Sequence, residues 1–292
     1  MSDPSLRPPR PTRAEPREVI ELHALKAAHP ELAEAADMHV ELIGMYRRVQ
    51  SRVPLPAFDL GTVPLEHHQR DGHALLRFED IPIAITDFRL LVRQTSEVLH
   101  RFGALEDDDF REIQTLGRDE TLLGVAREWY RSAPGHTGGP DAPPDAISAA
   151  PAATGMIGHV MSLAMRPFLA RCAEVLQQRP DLDRWQRAFC ALCGGEPEMA
   201  VLLPGNRRQL VCGRCTLRWA FDLSTCPFCS NTNRARITSF ATADRHYRVD
   251  GCDACQRYLK SFDRRDRPLM PLVDAVAMLP LDAAAIQRGY SG

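Results

Sequence analysis

Eight of the nine cysteines fall in four Cys-x-x-Cys pairs between residues 190 and 255, at "CALC", "CGRC", "CPFC" and "CDAC", and only Cys172 lies elsewhere. Two cysteines with two residues between them bring their sulfurs together on one tight turn, whose backbone N–H groups hydrogen-bond the thiolates. Each pair is therefore half of a tetrahedral metal site. Cys190 and Cys193 precede Cys212 and Cys215 with 18 residues between, and Cys226 and Cys229 precede Cys252 and Cys255 with 22 between. The first gap lies in the usual ribbon window of about 15–20 residues and the second slightly beyond it. Only ten residues separate Cys215 from Cys226. Spacing thus favours two sequential sites, with crossed pairing, first with third and second with fourth, as the alternative. Gly194 after the first pair and Pro227 inside the third suit such turns. Four thiolates suit zinc and iron alike. A closed four-sulfur shell leaves no position for a substrate, which points to structure or redox rather than Lewis-acid catalysis.

A chain of 292 residues with 44% hydrophobic content can bury a sizeable core without disulfides. No run of eighteen apolar residues occurs, and the first thirty residues lack the apolar core of a secretory signal. The expected setting is a soluble, cytoplasmic protein, in which clustered cysteines bind metal rather than cross-link.

The net charge of −2 hides an asymmetry, with +7 from Arg184 to Arg267 against −8 over residues 1–183. Two divalent ions each held by four thiolates lower the cysteine-rich part to about +3. A nucleic-acid-binding zinc ribbon is one reading of this segment, with Trp219 and Phe221 as stacking residues. Packing of both over a metal site is the other. A thiol redox enzyme is a further alternative, although four pairs exceed its needs and the βαβ context of a thioredoxin-like fold is absent.

The local pattern divides the chain into an α+β protein. Residues 1–16, rich in Pro and Arg, read as a disordered leader. Residues 17–184 read as a helical domain, beginning with a helix to about Gln50 that breaks at His29 and carries Val40, Ile43 and Arg47 at helical spacing. A second helix, Ile83 to Phe102, offers Phe88, Leu91, Val92 and Leu99 as an apolar stripe, and one or two more follow. Glu106 to Asp109 read as a solvated helix entrance. Residues 132–151 have too many Gly and Pro for a regular element. The helix from Thr154 to Gln178 places Cys172 on its buried stripe, with Pro167 predicting a kink or boundary.

Over residues 185–268 the period shortens to six strand-like segments, "MAVLL", "RQLV", "LRWAF", "ITSF", "YRVD" and "RYLKSF", which make a small β-rich module. Residues 269–292 return to a helix that packs back on one of the two modules. No dinucleotide, phosphate-loop, nucleophile-elbow or paired-His motif is present, which excludes the corresponding enzyme classes as far as motifs define them. His67 and His68 are adjacent and point apart on a helix, and His246 reads as a surface residue.

The run "RPFLARCAEVL", "RWQRAFCALCGGEPEMAVL", "RRQLVCGRCTLRWAF", "CPFC" and "YRVDGCDACQRYLKSF", followed by "LDAAAIQRGY", resembles the FdhE family of formate dehydrogenase accessory proteins. The likeness is most specific from Arg166 to Tyr290, where the Trp four residues after the second pair and the "RYLK" after the fourth add to the cysteines. It implies a helical domain followed by a rubredoxin-like or zinc-ribbon-like module with two four-cysteine sites, and it favours iron over zinc. It further implies no turnover of its own. The family role is maturation of respiratory formate dehydrogenase, by binding its catalytic subunit in the cytoplasm before twin-arginine export. Carried over residue by residue, the ligands are Cys190, Cys193, Cys212, Cys215, Cys226, Cys229, Cys252 and Cys255. Leu223 stands where many members carry a basic residue.

Overall fold

The computed structural model describes residues 15–56, 64–137, 155–263 and 268–292. The expected leader lies almost wholly outside these residues, as does most of the 132–151 loop.

The helical part opens with α1 (Arg17–Ala28) and α2 (Ala33–Gln50), separated at His29 and by a short 3-10 turn at Pro30–Leu32. The break falls where the sequence places it, since proline is tolerated in a first turn but not inside a helix. On α2 Ile43 is buried, yet Arg47 faces outward and reaches Glu18 at 3.4 Å. The stripe that packs inward is Leu42, Met45, Tyr46 and Val49. Next come α3 (Leu65–Asp71), α4 (Ile85–Arg101), α5 (Asp107–Leu116), α6 (Leu122–Arg131), the single-turn α7 (Pro134–Thr137) and the long α8 (Gly155–Leu176). All four stripe residues of α4 are buried. Helix α5 starts with Asp107, Asp108 and Asp109 in its first turn, where the macrodipole favours acid.

Helix α8 neither ends nor begins at Pro167. Proline in a helix interior costs about 3 kcal/mol. Leu163, Ala164 and Met165 before it, and Phe168, Leu169 and Cys172 after it, are all buried in one core, and that burial outweighs the lost backbone bond. Burial also pushes the Cys172 thiol up to about 12. At pH 8 roughly one part in 10⁴ of such a thiol is thiolate. Iodoacetamide is therefore expected to leave Cys172 unmodified in the native protein and to modify it after denaturation. Mass-spectrometric labelling of Cys172 in the native state at the rate of a free thiol would contradict this.

The β-rich part is one six-stranded sheet of order β3-β2-β1-β6-β5-β4. Its strands are β1 (Pro197–Leu203), β2 (Arg207–Cys212), β3 (Arg218–Phe221), β4 (Ile237–Ala241), β5 (Tyr247–Cys252) and β6 (Arg257–Asp263). All six predicted segments are strands. They form two antiparallel meanders, and the central β1–β6 pair is parallel, running from Met199↔Lys260 to Leu202↔Asp263. Each meander repeats one plan: a cysteine pair, a hairpin, a second pair at the end of the hairpin and a third strand.

The terminal stretch makes two helices rather than one, α9 (Pro271–Ala277) and α10 (Leu279–Gln287). They pack on different neighbours. Val273 and Val276 of α9 join Val19, Leu22 and Ile43 of α1 and α2, whereas Leu281 and Ala285 of α10 cover Val249 and Tyr258 of the sheet. The main core is also shared between the two parts. It runs without interruption from Phe88, Leu91 and Phe168 to Trp185, Leu210, Trp219 and the four cysteines of the first two pairs, and it includes Cys172 as well.

Candidate metal centres

Two four-sulfur groups exist among the described residues, Cys190, Cys193, Cys212 and Cys215 in one, and Cys226, Cys229, Cys252 and Cys255 in the other. The structure brings the pairs together in sequential order, not crossed. Within each group the sulfurs all lie within 4.8 Å of one another. The first has Cys190–Cys215 and Cys193–Cys212 at 3.4 Å, and the second has Cys226–Cys255 at 3.9 Å and Cys229–Cys252 at 3.7 Å. A tetrahedral ion with metal–sulfur bonds of about 2.3 Å needs sulfur–sulfur edges of about 3.8 Å. Both groups fit such an ion, and the donor set of four soft sulfurs suits zinc or iron.

The local backbone explains why the sulfurs converge. In every pair the residue after the second cysteine donates its N–H to the carbonyl of the first: Gly194 to Cys190 (3.0 Å), Thr216 to Cys212 (3.1 Å), Ser230 to Cys226 (3.0 Å) and Gln256 to Cys252 (2.8 Å). Each of these four residues is left-handed, with φ of 67°, 62°, 59° and 57°. Glycine relieves the left-handed turn only at Gly194, where a second constraint applies: an added Cβ would stand 2.9 Å from Gly135 Cα. The other three turns accept a side chain in a conformation that disfavours it, most of all the β-branched Thr216. Closing of the sulfur shell offsets that local cost.

The two groups differ in burial. All four sulfur-bearing residues of the first, inner group are fully buried at 0% exposure, whereas in the second, outer group Cys229 is exposed and Cys255 half-buried. The inner group is roofed by the helical part. Leu75 and Leu76 donate their N–H groups to the carbonyls of Ala191 and Leu192, both at 2.9 Å, and Gly135 donates to Gly194 at 3.0 Å. Arg214, inside the second pair, sends its guanidinium back to the carbonyls of Tyr130 (3.0 Å) and Trp129 (3.1 Å), with the Trp129 ring 4.1 Å away.

Burial raises the Cys190 and Cys215 thiols well above the ordinary value. Burial acts upward on Cys212 too, but hydrogen bonds from the thiols of Cys190, Cys193 and Cys215 outweigh it and hold Cys212 well below that value. Of these three Cys212 is the preferred thiolate, and a cation is what lets Cys190 and Cys215 ionise. Beside it His136 is kept neutral, its pKa lowered to about 4 by burial and then by the Arg214 charge.

Trp219 does not present a face to solvent. It is fully buried, and its Nε1 donates to the Arg187 carbonyl at 3.0 Å. Trp185 does the same for Phe189 at 2.8 Å, so two tryptophans fix the chain that enters the first pair. Phe221 is half-buried, with the Arg208 guanidinium 5.3 Å from its ring centre. Many arginines of the basic run are likewise used internally. Arg187 bonds the carbonyls of Gln69 and Arg70, Arg208 those of Asp222 and Thr225, and Arg257 forms a bidentate pair with Glu196 at 2.8 and 2.9 Å. His67 and His68 sit on α3 and His246 in the turn before β5, none of them in either sulfur group. The roof residues Leu75 and Leu76 contribute backbone N–H groups that leave no sequence signal, whereas Gly135 leaves one in its residue type, since a Cβ there would stand 2.5 Å from Gly194 Cα.

No protein-family model matches the chain. Protein FdhE of Escherichia coli K12 DH10B is 28% identical over 110 residues, 36% of this chain and 36% of the relative, and protein FdhE of E. coli O1:K1 / APEC is 29% identical over a stretch of the same size. The alignment thus spans about a third of the curated relatives' length. The crystal structure of the FdhE protein from Pseudomonas aeruginosa superposes with a TM-score of 0.60 at 19% identity, covering 94% of this chain and 91% of that one. The chain is thus related to the FdhE proteins in sequence over about a third of its length, and it shares their fold over nearly all of it.

Proposed function

We propose that this protein is an accessory factor for the maturation of a formate dehydrogenase, binding the catalytic subunit in the cytoplasm before twin-arginine export and turning over no substrate of its own. The observation that carries the reading is the combination of partial sequence similarity and FdhE fold across 94% of the chain. Two four-cysteine groups of tetrahedral dimensions, with Cys190, Cys193, Cys212 and Cys215 in one and Cys226, Cys229, Cys252 and Cys255 in the other, support metal binding at both. Iron is the proposed metal. When bound, iron in a four-thiolate shell can change valence, whereas zinc can only hold the turns. No helix among the described residues is long and apolar enough to cross a membrane.

Affinity capture of the tagged full-length chain from anaerobic, reduced cells making the dehydrogenase is expected to recover the catalytic subunit. Its absence from such a capture would overturn the partner assignment. Elemental analysis with a visible spectrum after oxygen-free purification is expected to give two irons per chain and thiolate charge-transfer bands. Two zincs and no colour would assign both sites a structural role.

A further inference from the structure

The outer group is partly open to solvent, as the inner group is not, and one short segment braces the turn of its fourth cysteine pair. Residues Gly289 to Ser291 lie across the fourth cysteine pair. The Tyr290 hydroxyl donates to the Asp253 carboxylate between Cys252 and Cys255, and the ring lies so close over Gly251 that an added Cβ there would stand 2.6 Å from it. Ser291 donates its N–H to the Gln256 carbonyl at 2.7 Å and accepts from the Tyr258 N–H at 3.0 Å, bracketing the turn after Cys255. Behind this strap, among the described residues, stand Val249, Tyr258, Leu281 and Ala285, with Phe240 and Tyr247 partly buried against them, a small cluster separate from the main core.

The cost of opening each site follows from these contacts. Releasing an inner cysteine means parting the backbone bonds from Leu75, Leu76 and Gly135, withdrawing Arg214 from two carbonyls and exposing the main core, which is an event of global size. Releasing Cys252 or Cys255 requires that the strap lift and that the turn part from Arg236, whose carbonyl accepts from the Asp253 N–H at 2.9 Å and whose guanidinium donates to the Asp253 carbonyl at 3.3 Å, which is a local event, while Cys229 already faces water. Local openings of this kind occur far more often than global ones.

Resting on the proposed reading of both groups as metal sites, we propose that the outer site of Cys226, Cys229, Cys252 and Cys255 exchanges its metal while the inner site is inert, and that Tyr290 is the clasp that sets the exchange rate. Tyr290 is a positioning residue. Through Asp253 it holds the turn that carries two of the ligand sulfurs.

The test uses the full-length chain reconstituted with zinc and challenged with a chromogenic pyridylazo chelator. Two zincs are expected at the start. One should leave in a fast phase and the other at least tenfold more slowly, and iodoacetamide added during the fast phase should label Cys226, Cys229, Cys252 and Cys255. Tyr290→Ala is expected to accelerate the fast phase severalfold and leave the slow phase unchanged. Tyr290→Phe, which keeps the ring over Gly251 but loses the hydroxyl, should fall between. Retention of the slow zinc in each variant shows that it is folded. Loss of both zincs at one rate, labelling of the inner cysteines first, or an unchanged fast phase in both variants would overturn the inference. Fewer than two zincs before the chelator is added overturns the two-site reading itself, which separates that failure from this one.

Discussion

Replacing Cys190 and Cys193 together by Ser is expected to abolish the cooperative thermal transition of the whole chain, helices included. The four inner cysteines are fully buried within the same hydrophobic cluster as Phe88, Phe168 and Trp185, so no boundary separates the site from the helical core. Apparent binding energies of structural zinc sites are about 10–16 kcal/mol, and whole-protein stabilities about 5–15 kcal/mol. Removing two ligands therefore removes an amount comparable to the total, and it leaves two buried hydroxyls in place of bonded sulfurs. Near-ultraviolet circular dichroism of the buried Trp185 and Trp219 gives the readout. The matched change of Cys226 and Cys229 to Ser should lose one metal and hydrogen-exchange protection in β4 and β5, while α4 and α8 stay protected. A cooperative melt retained by the inner double variant, or one lost by the outer, would contradict this division.

Trp219→Ala is the second large effect. A fully buried aromatic exchanged for Ala costs about 3–5 kcal/mol through lost transfer energy and the remaining cavity. The Arg187 carbonyl also loses the indole N–H, and with it the tie that positions the approach to Cys190. Urea unfolding should show the loss as a lower midpoint at similar slope. A change below about 1 kcal/mol would mean that the indole is not packed as described. The same burial removes Trp219 from the pair of stacking residues in the nucleic-acid reading, because a ring without exposed faces cannot receive a base, and leaves Phe221, half-buried, as the other.

The helix and strand content was legible because periodicity is a local property. The stripe Phe88, Leu91, Val92 and Leu99 has helical spacing and is buried, and six short segments bounded by turn residues are six strands. Pro167 lies inside α8 rather than at a boundary, because its local cost of about 3 kcal/mol is smaller than the burial on both sides of it. Arg47 keeps helical spacing with Val40 and Ile43 on α2 yet is exposed, because spacing alone does not say which face a core will cover. The short helices α3 and α7 escaped notice because seven and four residues are too few for a period to register. The single helix expected after residue 269 is two, since α9 and α10 answer to different cores.

For the candidate site, the sequence alone determined the chemistry: eight sulfurs, in pairs whose turn geometry is encoded within five residues, with a spacing that favoured sequential closure. That information is local, and the left-handed residue after each pair carries it in the backbone. Only the tertiary structure decided that the two sulfur groups are unequal. The parallel joint between β1 and β6 puts both in one sheet, but the helical part roofs the inner group, through N–H groups of Leu75 and Leu76 that any residue except proline could supply and of Gly135, where a Cβ would stand 2.5 Å from Gly194 Cα. Backbone contacts across more than fifty residues leave no mark in composition or spacing, so the difference between a buried site and one held by Tyr290 appears only when the chain is folded.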